Sequence, residues 1–196
     1  MIKGAIFDLD GTIIDSMFIW DTIGEDYLMS LGKKTRENLS EVFKTFTLEE
    51  SAVYYQNHYG VTLSVEEIVD GVNSMIEDIY KTKVALKDGV KEFLKRLNKK
   101  GVKMCVATVT DKNIAEDVLD RLGVREYFSE IFTCGEVGCN KETPEIYRQA
   151  LKYLGTEKTE TVVFEDSFHA LKTAKDDGFK AAAVYDSHEG KQEELE

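Results

Sequence analysis

Four short stretches of this chain, residues 4–7, 102–107, 161–164 and 181–185, are apolar at nearly every position instead of at every second one. A strand with one wet face alternates, so continuous apolarity means strands covered on both faces, as in a parallel sheet. A weaker run of the same kind spans 130–133. Helical patterns lie between the runs. Residues 89–100 place Val90, Phe93, Leu94 and Leu97 on one face ahead of Gly101, 113–122 end before Gly123, and 167–177 end at Gly178. Thr143-Pro144 reads as an N-cap followed by proline in the first helical position, with that helix running towards Gly155. Strand and helix therefore alternate, which predicts an α/β fold with a doubly wound, Rossmann-like parallel sheet.

Residues 15–82 break the alternation with an almost entirely helical pattern. Thr47-Leu48-Glu49-Glu50 and Ser64-Val65-Glu66-Glu67 both match the capping box, and Gly60 closes the helix between them. Tyr27, Leu28 and Leu31 form an apolar stripe, and Phe43, Phe46, Tyr54, Tyr55, Ile68, Val72, Met75 and Ile79 are expected to build a separate core. The expected organisation is an α/β core of residues 1–14 and 83–196 with an inserted all-α domain of 15–82. The charged stretch 189–196 is expected to fray.

A net charge of −12 repels phosphate backbones and anionic lipid, which disfavours nucleic acid and membrane as partners but leaves room for a small anion in a local positive pocket. No apolar run is long enough to span a bilayer, no leader pattern precedes the first strand, and three cysteines make a poor disulfide framework. The expected location is cytoplasmic; oligomeric state is not encoded in any readable way, and a monomer is plausible.

The chemistry gathers at the strand ends. The first strand runs into Asp8-Leu9-Asp10-Gly11-Thr12, where side chains two apart share a face, so Asp8 and Asp10 project together. Open α/β sheets bind ligands at this C-terminal edge. Two neighbouring carboxylates supply either a nucleophile beside an acid–base group or a hard-metal site; a polar strand end with an Asx turn has the same pattern. The second run ends at Thr108, the third in Glu165-Asp166, and Lys141 lies just ahead of Thr143-Pro144. Four acids, a hydroxyl and an ammonium converge on one rim, and that many carboxylates require a divalent cation in addition to Lys141, with oxygen donors favouring Mg²⁺.

These residues resemble the four motifs of the haloacid dehalogenase-like hydrolases: Asp8-Leu9-Asp10-Gly11-Thr12 the first, Thr108 the second, Lys141 with Pro144 the third, and Glu165-Asp166-Ser167 the fourth. The helical block is similar to the inserted cap of the subgroup that includes β-phosphoglucomutase and phosphoglycolate phosphatase. The resemblance implies that Asp8 attacks phosphorus to form an aspartyl-phosphate, and that Asp10 protonates the leaving alcohol and then deprotonates water. It also implies a Mg²⁺ ion held by Asp8, the backbone carbonyl of Asp10, and Asp166, with Glu165 a further ligand or a supporting residue. Thr108, the Val109 N–H and Lys141 would hold the phosphoryl oxygens, and the cap would close over the site and select a small phosphorylated metabolite.

Some positions depart from the pattern. Glu142 stands where proline is usual, Ala170 where glycine is common, and Trp20 where β-phosphoglucomutase-like enzymes tend to have histidine. Trp20 either faces the phosphate pocket or packs. Arg36 is the only arginine of the helical block, which weighs against a phosphomutase holding a bisphosphorylated intermediate. The pair Asp8 and Asp10 weighs against dehalogenation, and a non-catalytic phosphate-ligand binder would not need every position filled. Asp111 is expected as a helix N-cap, His169 as a partly exposed helix residue, and Cys134 with Cys139 as ordinary loop and core thiols instead of a zinc site.

Overall fold

The computed structural model describes residues 2–44 and 46–188; the expectation for 189–196 lies outside them. The continuous apolar runs are strands of one parallel sheet. β1 (Gly4–Phe7), β4 (Lys103–Thr108), β5 (Ile131–Thr133), β6 (Thr161–Glu165) and β7 (Lys180–Ala183) are ordered β5-β4-β1-β6-β7. β1 is central and wholly buried, in register Phe7↔Val106 with β4 and Phe7↔Phe164 with β6. The expected α/β class and parallel sheet are borne out.

Strand periodicity sends alternate side chains to opposite faces. Ile6, Cys105, Ala107 and Val163 pack on Ile146, Tyr147, Ala150 and Leu154 of α8 (Glu145–Leu154) and on Ala174 of α9 (Phe168–Asp176). Phe7 and Phe164, of the other parity, stack at 4.6 Å and meet Phe93 of α5 (Val90–Lys99) edge-on. The helix α6 (Lys112–Arg121) packs against β5. Each fully buried side chain such as Ile6 contributes roughly 1.5–3 kcal/mol.

Two boundaries and one short helix differ from the sequence reading. The helix after Lys141 begins at Glu145 with Pro144 in the N-cap position, so Thr143 is not its cap. The last strand stops at Ala183, two residues early, where its partner β6 also ends, the last bond between them running from Val184 N–H to Glu165 O. The short α7 (Cys134–Val137) was missed because its four residues span barely one turn; Thr133 caps it and Gly138 closes it in the left-handed conformation.

The chain divides into two units, residues 1–16 with 84–196, and 17–83. In the first, β2 (Ile14–Asp15) and β3 (Ala85–Leu86) form an antiparallel pair that brings the two ends of the intervening segment side by side. The second unit is helical: α1 (Ile19–Ser30), α2 (Leu39–Phe43), α3 (Leu48–Tyr59) and α4 (Val65–Thr82). Both capping boxes are present, at Thr47 with Glu50 and at Ser64 with Glu67. Its core includes Tyr27, Leu28, Leu39, Tyr55, Ile68, Val72 and Ile79, joined by Ile19, Ile23 and Tyr80; Phe43, Tyr54, Met75 and Leu31 are only half-buried and Phe46 is exposed, a correction to the expected core. Gly71 sits inside α4 despite its helix penalty because a Cβ there would come within 2.5 Å of the Tyr27 hydroxyl. Among the described residues no helix is long and apolar enough to cross a membrane.

Candidate active site

The strand order puts the ends of β4, β1 and β6 side by side, and with them Thr108, Asp8, and Glu165 with Asp166. Asp8 follows β1 directly, and its N–H donates to Phe164 O at 2.9 Å, which seats it against β6. Asp8, Glu165 and Asp166 are all buried, with carboxylate oxygens within 4.8 Å of one another, the group of potential metal-binding side chains found among the described residues. Lys141 reaches them from the segment between α7 and α8. Its ammonium donates to Asp8 Oδ1 and, at 2.9 Å, to Glu165 Oε2. Tyr147 of α8 donates its hydroxyl to the same Glu165 oxygen at 3.2 Å.

Three carboxylates against one ammonium leave a surplus of negative charge, and the titration behaviour follows. Burial and the neighbouring Glu165 carboxylate hold Asp8 well above the usual carboxylate range, against the pull of Lys141. Asp166 is pushed up to about 6 by burial and Glu165, although Thr12 donates a hydrogen bond to its Oδ1 at 2.9 Å. Burial disfavours the charge on Lys141, but Asp8 and Glu165 more than offset it and hold its pKa well above the ordinary value. An all-oxygen donor set carrying surplus negative charge fits a hard divalent cation, which would take the place of the protons the acids otherwise retain.

Asp10 is turned to different partners. Ser16 donates to its Oδ1 at 2.7 Å and Thr110 to its Oδ2 at 2.6 Å, and its side chain is not one of the three clustered carboxylates. Of the four acids read from the sequence, three cluster within 4.8 Å, while the fourth, Asp10, still adds its charge to the field at Asp8 and is held by hydroxyls; the Asp10 carbonyl named by the resemblance is a separate donor. Gly11 (φ +72°) turns the chain between them, and a Cβ at this position would lie 2.2 Å from Asp166 Oδ2, so both the backbone angle and the space call for glycine.

Thr108 is fully buried, its hydroxyl accepting the Thr110 N–H at 3.0 Å, while Val109 between them is 62% exposed. Trp20 lies on α1 in the helical unit, 50% exposed, so it is not a packed core residue there. His169 is exposed. Asp111 occupies the N-cap position of α6 but makes no side-chain cap hydrogen bond, a correction to the expected cap. Cys134 and Cys139 are free thiols.

Ser16, Thr110 and Tyr147 had no part in the sequence reading, and Thr12 entered only as the last residue of the first motif. Thr110 alone carried a signal, the two-residue spacing from Thr108 that also relates Asp8 to Asp10. The others are single hydroxyls with no motif of their own, and the partners of Thr12 and Tyr147 lie 154 and 18 residues away.

Residues 5–184 match the sequence profile of the haloacid dehalogenase-like hydrolases. A phosphorylated carbohydrates phosphatase of Thermotoga maritima is 26% identical over 97% of this chain and 89% of its own length. Hexitol phosphatase B of Escherichia coli is 27% identical over 89% of this chain and 79% of its own. Among solved structures, a Thermotoga maritima protein provisionally called a β-phosphoglucomutase superposes with a TM-score of 0.87 at 26% identity, covering 97% of this chain and 89% of that one. CbbY of Rhodobacter sphaeroides in complex with phosphate superposes at 0.71 and 25% identity, covering 96% and 90%.

Proposed function

We propose, from the premise that the chain belongs to the haloacid dehalogenase-like hydrolases, that it is a phosphatase of a small phosphorylated metabolite working through an aspartyl-phosphate on Asp8. The observation that carries this reading is the buried trio Asp8, Glu165 and Asp166, of which a single ammonium, Lys141, bonds Asp8 and Glu165. An Asp8 oxygen attacks phosphorus, the ester P–O bond breaks, and Asp10 gives its proton to the departing alkoxide. Asp10 then takes a proton from water, whose oxygen attacks the phosphoryl group and returns Asp8 as a carboxylate. Ser16 and Thr110, bonded to both Asp10 oxygens, fix the direction in which that proton travels. Lys141, Thr108 and the N–H of Val109 are proposed to hold the phosphoryl oxygens, where charge is spread in the transition state.

Asp8, Asp166 and the Asp10 carbonyl, with Glu165 as ligand or support, would hold Mg²⁺, which when bound neutralises phosphoryl charge. The helical segment 15–82 is proposed as the substrate-selecting cap and 1–14 with 83–196 as the catalytic core, with Trp20 a candidate contact to the substrate.

The likeness to a protein called a β-phosphoglucomutase favours phosphomutase as the second reading. Phosphate release would be measured from sugar phosphates, nucleotides, phosphoglycolate and an aryl phosphate, with Mg²⁺ or with EDTA, on wild type and Asp8→Asn. The expected result is Mg²⁺-dependent release that falls on the order of 10⁴-fold or more in Asp8→Asn. No release from any ester by folded wild-type protein would overturn the phosphatase reading in favour of the mutase.

A further inference from the structure

Lys87, between β3 and α5, is tied to the turn that carries Asp10 by both its backbone and its side chain. Its N–H donates to Ile13 O at 3.0 Å, and its ammonium to Gly11 O at 2.6 Å. The same ammonium donates to Tyr185 O at 2.6 Å and to Asp186 Oδ2 at 2.7 Å. An ammonium has three protons, so this set uses all of them in diverging directions. Asp186 is buried, and its other oxygen accepts the His188 N–H at 2.9 Å. A strut of charge-assisted hydrogen bonds therefore runs from the segment after β7, through Lys87, to the carbonyl of Gly11.

That carbonyl lies at a critical point. The turn leaves β1 after Asp8 and must aim the Asp10 carboxylate at Ser16 and Thr110 while sending the Thr12 hydroxyl to Asp166. Its internal bonds, Gly11 N–H to Ile14 O and Ile13 N–H to Leu9 O, set its curl. They do not set the rotation of the Gly11–Thr12 peptide, and glycine at φ +72° offers no side chain to restrain it. A buried ion pair is weak evidence for stability, but it selects one geometry strongly when its bonds are saturated.

We propose that Lys87 and Asp186 are positioning residues for the Asp10–Gly11–Thr12 turn, with Tyr185 and Asp186 as the anchor. The kinetic consequence rests on the phosphatase reading; the structural one stands apart from it.

The test is backbone hydrogen exchange followed by mass spectrometry, together with steady-state phosphate release, on wild type, Lys87→Met, Lys87→Arg and Asp186→Asn. In Lys87→Met, peptides covering 8–15 should exchange about tenfold faster or more, while those from β4 and β6 keep their protection. The turnover number should fall about 10–100-fold with KM within about twofold, because a misaimed turn costs the chemical step. Lys87→Arg should recover most of both, and Asp186→Asn should show the same pattern more weakly. If Lys87→Met does not fold, the near-isosteric Asp186→Asn carries the test. Unchanged exchange at 8–15, or a uniform rise across the chain, overturns the proposal, as does a loss confined to KM. Should wild type release no phosphate, the phosphatase reading falls while the exchange pattern still decides the strut.

Discussion

Two groups of buried charge stand at the C-terminal edge of the same sheet, built on opposite plans. In one, Asp8, Glu165 and Asp166 cluster around a single ammonium, Lys141, which bonds Asp8 and Glu165; in the other, the single carboxylate of Asp186 meets Lys87 on one oxygen and His188 on the other. Asp166 is 7% exposed and Asp186 3%, so solvent accessibility does not separate them. Charge balance does. Burial and Glu165 push Asp166 up to about 6, whereas at Asp186 the same burial is outweighed by the bonds from Lys87 and His188, and its pKa falls below the ordinary value. An over-filled cluster holds energy that a cation can release, and a balanced one holds only shape. The first is where reaction is to be expected, the second where rigidity is.

Gly11 belongs to both groups, since its carbonyl takes Lys87 and its Cα abuts Asp166, so Gly11→Ala should have the largest effect. Forcing a Cβ into the left-handed region costs about 1–2 kcal/mol, and displacing the Asp166 carboxylate should lower turnover about 100-fold or more. Near-wild-type kinetics for this variant would break the idea that the turn is held from two sides.

Asp166→Asn should stabilise the metal-free protein at pH 7, by about 2–3 kcal/mol, while abolishing Mg²⁺-dependent activity. The native state binds the Asp166 proton more tightly than the unfolded chain does, so wild-type stability in EDTA should fall as pH rises from about 4 to 6. That slope should shrink in the variant. Thermal melts between pH 4 and 7.5 decide it; a destabilised Asp166→Asn would mean that the cluster is balanced after all.

Asp186→Asn should do the reverse, costing about 1–2 kcal/mol at pH 7 by leaving Lys87 without its counter-charge. Because the folded pKa is depressed, that contribution is present at neutral pH and is lost as pH falls through the folded value, so the difference from wild type should fade in acid. Trp20→Ala, outside both groups and half-exposed, should change stability by less than about 0.5 kcal/mol and alter only the ranking of phosphate esters. An unchanged ranking would remove Trp20 from the substrate-binding proposal.

The sheet was legible because both-face burial writes itself locally: Gly4-Ala5-Ile6-Phe7 has no polar position to hide. Capping boxes at Thr47 and Ser64 were legible for the same reason, as all their partners lie within one turn. The acids of the site could be named from strand-end position, but how they divide could not. Asp8 and Asp10 have the same neighbours in sequence and different ones in space, because Ser16 and Thr110 claim Asp10. Lys87 gave no signal at all, being one lysine among many charged residues until the end of the sheet returns Asp186 to it. Phe46 and Met75 misled because helical spacing shows which side chains share a face, not how far that face is covered.

The position of β1 in the sheet also imposes an order on assembly. Gly4 pairs with Lys103 on one side and Thr161 on the other, so the strand made first acquires its second neighbour only when most of the chain has been synthesised. At ribosomal speeds of about 5–20 residues per second, Gly4-Ala5-Ile6-Phe7 waits roughly 5–20 s for its first partner strand and roughly 8–30 s for its second. The segment 17–83, whose helices contact one another over short sequence distances, can fold during that interval. Nascent chains of this protein should therefore carry an ordered insertion while Asp8, the proposed nucleophile, is still exposed to solvent and to chaperones.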